Sequence, residues 1–155
     1  MRLETLLEKG TPKHLKAFEE VGTIKGSGPA VIQTLPMFEQ LEELLCTCGG
    51  EEREKADLAV SFVLALMKRM TQVAAEGAEA AGSKFIGLSG GVSYNLPIVR
   101  IVSQEAERRG LTLLLHDNVP NGDGGISIGQ NAHVGEIFDK RNDAEKLSKR
   151  KRVRS

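Results

Sequence analysis

Residues 84–116, KFIGLSGGVSYNLPIVRIVSQEAERRGLTLLLH, carry the pattern that decides the fold. A short apolar run at 84–88 reads as a strand and breaks at the turn Ser89-Gly90-Gly91. A helix is expected from about residue 96 to 109, with Pro97 tolerated in its first turn. Gly110 stops that helix, and residues 111–116 form a second apolar strand. A long helical pattern at 51–81, ended by Gly82, precedes this stretch. The turn VPNGDGG (119–125) and another helical stretch over 125–138 follow it. Helix, strand, helix, strand, helix with short connections is the order of parallel strands joined by right-handed crossovers, so the fold class is α/β.

Upstream, the pattern is mixed. Leu3, Leu6 and Leu7 give residues 1–8 one apolar helical face, stopped by Gly10 and Pro12. Residues 11–20 favour neither helix nor strand. Residues 21–33 (VGTIKGSGPAVIQ) read as two short strands around a Gly-Ser-Gly-Pro turn. Pro36 opens a helix through Leu45, with Phe38, Leu41, Leu44 and Leu45 to one side. The 51–81 helix carries Leu58, Ala59, Phe62, Val63, Leu66, Met70 and Val73 at spacings of three and four, which predicts one buried face.

At 155 residues, 40% apolar and 27% charged, the chain suits one globular domain. A domain of this size buries roughly 70% of its unfolded surface, enough for a real core. No run of about 20 apolar residues suggests a membrane span, and no export signal is visible, so a cytoplasmic protein is expected. The formal net charge of zero conceals an asymmetry. Residues 146–155 (KLSKRKRVRS) hold six Lys or Arg and no acid, leaving 15 basic against 21 acidic residues before them. Residues 139–155 are therefore read as a basic tail, mobile or continuing a helix, and 1–138 as the folded lobe. Such a tail can attract nucleic acid or an acidic partner, but it lacks the interleaved aromatics that stack on bases. Cys46 and Cys48 are too few for a zinc site and read as reduced thiols. His14, His116 and His133 show no ligand spacing, and no nucleophile–base arrangement is defined.

The chemistry lies in the two glycine turns. Ligands of open α/β sheets bind beyond the carboxyl ends of the strands, where both turns fall. Gly90 and Gly91 let backbone N–H groups approach an anion, and the next helix adds its unpaired N–H groups at the same place. Ser89, Ser93 and Asn95 add side-chain groups, making a plausible phosphate or ribose cradle. This is neither a P-loop nor a dinucleotide fingerprint, since G-K-[ST] and G-x-G-x-x-G are both absent. In the second turn Asp123 precedes Gly124 and Gly125. Its carboxylate either caps the following helix or serves as one hard oxygen ligand of a divalent metal. His116, closing the second strand, either completes that strand end or reaches a ligand.

Together, LSGGVSYN (88–95) and VPNGDGGISIGQ (119–130) resemble the paired signatures of HypF-type hydrogenase-maturation carbamoyltransferases, in their C-terminal, Kae/TsaD-related region. The likeness holds in order and spacing, and with MRLETLLEKG at the start it covers residues 1–138. It implies the second lobe of an actin-like (acetate kinase/heat-shock/actin, ribonuclease H-like) ATPase fold. It also implies transfer of a carbamoyl group from carbamoyl-adenylate, made from ATP, to a partner protein's cysteine. On this resemblance Gly90, Gly91, Asn95 and Gly124 would contact nucleotide, and Asp123 a divalent metal such as Mg, Zn or Fe. Catalytic residues are not assigned. The chain departs from the family at Phe62-Val63, where Phe-His is usual, and at Ser93-Tyr94, where Phe-Gln is usual.

The resemblance implies that a first lobe, carrying a metal-binding histidine pair, and adenylate-forming domains act with this lobe, in the same or a separate chain. A thiol-bearing hydrogenase-maturation protein would be the acceptor. An open face also leaves room for a homodimer. The isolated chain is expected to lack turnover, because one lobe walls only one side of a water-excluding cavity. The alternatives are a non-catalytic nucleotide- or protein-binding lobe, a component of tRNA threonylcarbamoylation of the TsaD type, or a sugar-kinase-like phosphotransferase. The last would want a first-lobe phosphate loop and a catalytic Asp, neither of which is visible.

Overall fold

The computed structural model describes residues 3–21, 23–24 and 30–152, and the side chains of all of these except Glu4, Thr23, Ile24, Asp139 and 141–152. The chain divides into two compact units, Met1–Leu88 with Val92–Leu115, and Ser89–Gly91 with His116–Ser155.

The first unit is built around one long helix. Helix α4 (Glu52–Ala80) receives α1 (Leu3–Lys9), α2 (Leu15–Glu19), α3 (Leu35–Thr47) and α5 (Leu96–Arg108). Ala, Leu, Met, Lys and Glu dominate α4, Pro is absent from it, and Glu52 and Glu54 favour its positive N-terminal end. Its centre is a cluster of Phe18, Met37, Leu58, Phe62, Val63 and Ile98. Phe62 meets Phe18 edge-on at 5.5 Å and Phe38 at 5.0 Å, so three helices share one aromatic contact.

With four helices packed on it, α4 buries a wider band than a single stripe. Ala56, Ala65, Met67, Ala75 and Ala78 are buried beyond the expected set, whereas Met70 is 49% exposed. Spacing alone marks Met70 as apolar on that face, but no helix covers it. Three polar side chains also lie in the band. Ser61 donates to the Asp57 carbonyl at 2.6 Å and Thr71 to the Met67 carbonyl at 2.8 Å, which satisfies both hydroxyls within the helix. By length and composition α4 could cross a membrane, with an 18-residue window of mean hydropathy 1.4. The helices around it and its buried polar residues mark it instead as the core of this unit.

Where α1 reaches α4 the backbones nearly touch. A Cβ on Gly10 would lie 2.2 Å from the Ala56 carbonyl oxygen and 2.8 Å from Val60 Cγ2. Next to this contact Asp57 accepts from the Thr11 N–H at 2.7 Å and the Thr11 hydroxyl at 3.0 Å, which holds its carboxyl below the usual range. Glu54, bonded by Lys13 Nζ at 2.8 Å and by His14 Nε2 at 2.7 Å, is lowered for the same kind of reason.

The expected hairpin forms as β1 (Thr23–Ile24) and antiparallel β2 (Val31–Ile32), and its Gly-Ser-Gly-Pro turn lies outside the described residues. Residues 11–20, ambiguous in sequence, contain α2. Gly82 closes α4 at φ +66°, with Ser83 N–H bonded back to the Ala78 carbonyl. β3 (Phe85–Gly87) then pairs in parallel with β4 (Thr112–Leu114), Ile86 opposite Leu113. Both strands are shorter than the apolar runs suggest, because pairing ends with Leu88 N–H on the Leu114 carbonyl and the chain then turns away. Ile86 packs under α4 and α5 with Ala75, Ala78 and Ala106, small residues that admit the strand close to the helices. The opposite sheet face presents Phe85 and Leu114, each about half exposed.

In the second unit the last helix, α6 (Gly124–Arg152), runs well past the expected 125–138 and takes in most of the basic tail. Its residues Ile126, Val134, Ile137 and Phe138 are exposed.

Candidate functional site

Both glycine turns emerge where the sequence places them, immediately after the parallel strands. Within the second unit they bond to each other directly. Gly90 N–H donates to the Asn121 carbonyl at 2.7 Å, Ser89 Oγ lies 3.5 Å from that same oxygen, and His116 Nε2 lies 2.9 Å from Ser89 Oγ. Residues 89–91 and 116–121 thus form one knot. His116 therefore serves to tie the turns, standing two residues beyond the end of β4.

Four of the five glycines in the turns are there for different reasons. Gly90 has φ +90°, a left-handed conformation that side chains disfavour. Gly125 lies against backbone: an added Cβ would sit 2.5 Å from the Pro120 carbonyl oxygen. Gly91 and Gly124 have neither constraint. A Cβ on Gly91 would meet nothing within 4 Å, and one on Gly124 only Pro120 side-chain carbons at 3.5 Å and beyond, with no positive φ at either residue.

Asp123 stands one residue before α6. Its backbone carbonyl accepts from Ile126 N–H at 3.1 Å, while its side chain is exposed and engaged by no hydrogen bond or ion pair among the described residues. The capping interaction considered for this carboxylate is not made. Among the described residues no three His, Cys, Asp or Glu side chains gather as a metal-ligand set.

Asn95 belongs to the first unit and caps α5, its Oδ1 accepting from Ile98 N–H at 3.2 Å. This commits the side-chain oxygen to the helix. Ser93 is buried and Ser89 is engaged by His116, so neither presents an idle hydroxyl. Sequence reasoning missed Asn121, whose contribution is a main-chain carbonyl and so leaves no residue-type signal.

A parallel strand pair under two helices, followed at the strands' carboxyl ends by two interlocked glycine turns, defines an actin-like lobe fragment. The model of the carbamoyltransferase Kae1-like domain, second subdomain, matches residues 1–130, and the chain belongs to that HypF-type family. Among curated relatives, the probable carbamoyltransferase HypF of Methanocaldococcus jannaschii is 44% identical over 100 residues. That alignment takes in 64% of this chain and 12% of the relative. The carbamoyltransferase HypF of Rhizobium leguminosarum bv. viciae is 30% identical over 111 residues, 72% of this chain and 14% of that protein. The crystal structure of T. kodakarensis HypF superposes with a TM-score of 0.63 at 29% identity, covering 89% of this chain and 16% of that one. Full-length HypF in its phosphate- and nucleotide-bound form gives 0.62 at 23% identity, covering 75% of this chain and 15% of that one, a likeness of fold. The chain thus spans about an eighth of the curated relatives' length.

Proposed function

We propose that this chain is the part of a HypF-type carbamoyltransferase that holds the phosphate of a carbamoyl-adenylate, from which the carbamoyl group passes to a cysteine of a hydrogenase-maturation partner. The observation that carries this reading is the division of the turn glycines. Glycine costs backbone entropy, about 1 kcal/mol against alanine inside a helix. At Gly91 and Gly124 nothing among the described residues requires that cost. Close approach of a ligand to bare backbone does require it, and the start of α6, where the Gly125 and Ile126 N–H groups are bonded to the Gly122 and Asp123 carbonyls, turns the positive end of the helix dipole toward an anion.

Asp123 fits a metal ligand, being an exposed carboxylate with no other engagement beside those N–H groups. A divalent cation there would neutralise phosphate charge. Its remaining ligands would come from the rest of the transferase. Asn95, its oxygen used by α5, would offer a ribose only its amide nitrogen. The uncovered sheet face supports the reading that this lobe works within a larger protein. Parallel sheets are buried on both faces, and here Phe85 and Leu114 await a second layer.

The test is calorimetric titration of ATP and AMP, with and without Mg²⁺, into the chain and into Gly91→Val and Asp123→Ala. Saturable binding weakened by both substitutions is expected, with no carbamoyl transfer until the other domains are supplied. Transfer by the chain alone, or binding indifferent to both substitutions, would refute the proposal.

A further inference from the structure

We infer that the cleft between the middle of α4 and the last turn of α5 is a binding site for a small phosphate-type oxyanion, separate from the glycine turns. The cleft has a volume of about 360 Å³ and is lined by Lys68, Arg69, Arg108 and Arg109 against Glu19 and Glu105. Lys68 Nζ bonds the Glu19 carboxylate at 2.9 Å, and the Arg69 guanidinium donates to the Glu19 backbone carbonyl. Glu105 is shared: Arg109 Nη2 lies 3.0 Å from one oxygen and Arg108 Nη1 3.4 Å from the other. Four cations thus converge on two carboxylates, an excess of two positive charges in one concavity.

That excess runs against the rest of the molecule. Before the basic tail, acidic residues outnumber basic ones by 21 to 15, so a local cationic cleft is a departure from its surroundings. The pairs with Glu105 are i,i+3 and i,i+4 contacts that an α5 surface could make alone. They do not account for Lys68 and Arg69, brought to the same cleft from another helix. Concave walls focus such a field, and a guanidinium presents five N–H donors in a plane matched to phosphate, of which Glu105 takes one from each arginine. The two arginines also lie on the amino-terminal side of β4, whereas the Gly90 turn follows β3.

The probe is inorganic pyrophosphate, titrated by calorimetry at low chloride into the full chain. Saturable binding is expected, weakened roughly tenfold or more in Arg108→Gln/Arg109→Gln and largely restored in the corresponding double Lys variant. Any pyrophosphate held at the glycine turns would be lost in Gly91→Val, whereas the component lost in the Gln variant should persist there, which separates this inference from the proposed function. Lys68→Gln offers an independent lesion should the double variant fail to fold. ATP titrated in parallel tells a nucleotide tail from a free phosphate: loss of ATP affinity in the Gln variant but not in Gly91→Val assigns the tail here. No saturable binding up to about 10 mM, or equal affinity in parent and Gln variants, overturns the inference. So does an oligonucleotide that binds through these residues while pyrophosphate does not.

Discussion

Gly10 tests the packing of α1 on α4 most directly. Its φ lies outside the left-handed region, so alanine would be conformationally acceptable and the obstacle is space alone. The added methyl carbon would sit 2.2 Å from the Ala56 carbonyl oxygen and 2.4 Å from its carbon, both backbone atoms of a helix interior that cannot swing aside. The chain after α1 must retreat by about an ångström to restore van der Waals distance, loosening the neighbouring Thr11–Asp57 bonds. Overpacking of this kind costs about 1–3 kcal/mol, while Gly→Ala returns about 0.4–1 kcal/mol through the unfolded chain. A net loss of about 1–2 kcal/mol is expected, or roughly 2–8 °C in melting temperature for a chain of this length. Gly77, inside α4 with nothing within 4 Å of its would-be Cβ, is the matched control, and Gly77→Ala should gain about 0.5–1 kcal/mol. Urea denaturation followed by circular dichroism measures both. If Gly10→Ala proves as stable as the parent while Gly77→Ala behaves as stated, the close approach of α1 and α4 is wrong.

Phe62→Ala, which removes the ring shared by Phe18 and Phe38, should cost about 3–5 kcal/mol in the same assay. A loss below about 1 kcal/mol would mean that the three rings do not form the core contact. Asp57 and Glu54 have folded pKa values below their unfolded ones, so the unfolded chain binds more protons. Their contribution is full above the ordinary carboxylate range and is lost as pH falls through the lowered values. Stability should therefore drop on acidification below about pH 4, and Asp57→Asn should flatten that slope; an unchanged slope would remove Asp57 from the account. Gly91→Ala and Gly125→Ala should separate: the first leaves the far-ultraviolet circular dichroism unchanged, holds or slightly raises the melting temperature and weakens nucleotide binding, whereas the second disturbs the turn with or without ligand. Equal loss of structure in both would show that Gly91, too, is held by the fold.

Except for α2 and the length of α6, the secondary elements were legible to within a few residues because periodicity and glycine stops act locally. Gly82 and Gly110, both at positive φ, end α4 and α5 where expected. The family was legible from the two turns, since backbone approach constrains residue type at fixed spacing. What stayed hidden depends on contacts distant in sequence. Asp57 meets Thr11 across 46 positions, Lys68 meets Glu19 across 49, and no local pattern announces either. Gly10 read as a helix stop, when its stronger constraint is the Ala56 carbonyl. Met70 erred the other way, because spacing identifies a face without saying how much of it a neighbour covers. Asp123 stayed open in sequence, as cap or ligand, and its exposed carboxylate makes no capping bond.

The turns also bear on what this lobe can do by itself. The parts the fold requires are Gly90 and Gly125, the Asn121 carbonyl and the His116–Ser89 bond, which tie residues 89–91 to 116–121 within the second unit before any ligand arrives. On the proposed reading, turns already held in place would receive an anion without reordering their backbone, which favours affinity. Catalysis of transfer needs more, because a reactive carbamoyl donor must be kept from water and a lobe with an exposed sheet face and exposed Asp123 closes no cavity. Binding and turnover should therefore separate cleanly in this chain. On the proposed reading, nucleotide affinity would reside in the turns at 89–91 and 116–125, and chemistry would begin only when a second wall and the remaining metal ligands are supplied.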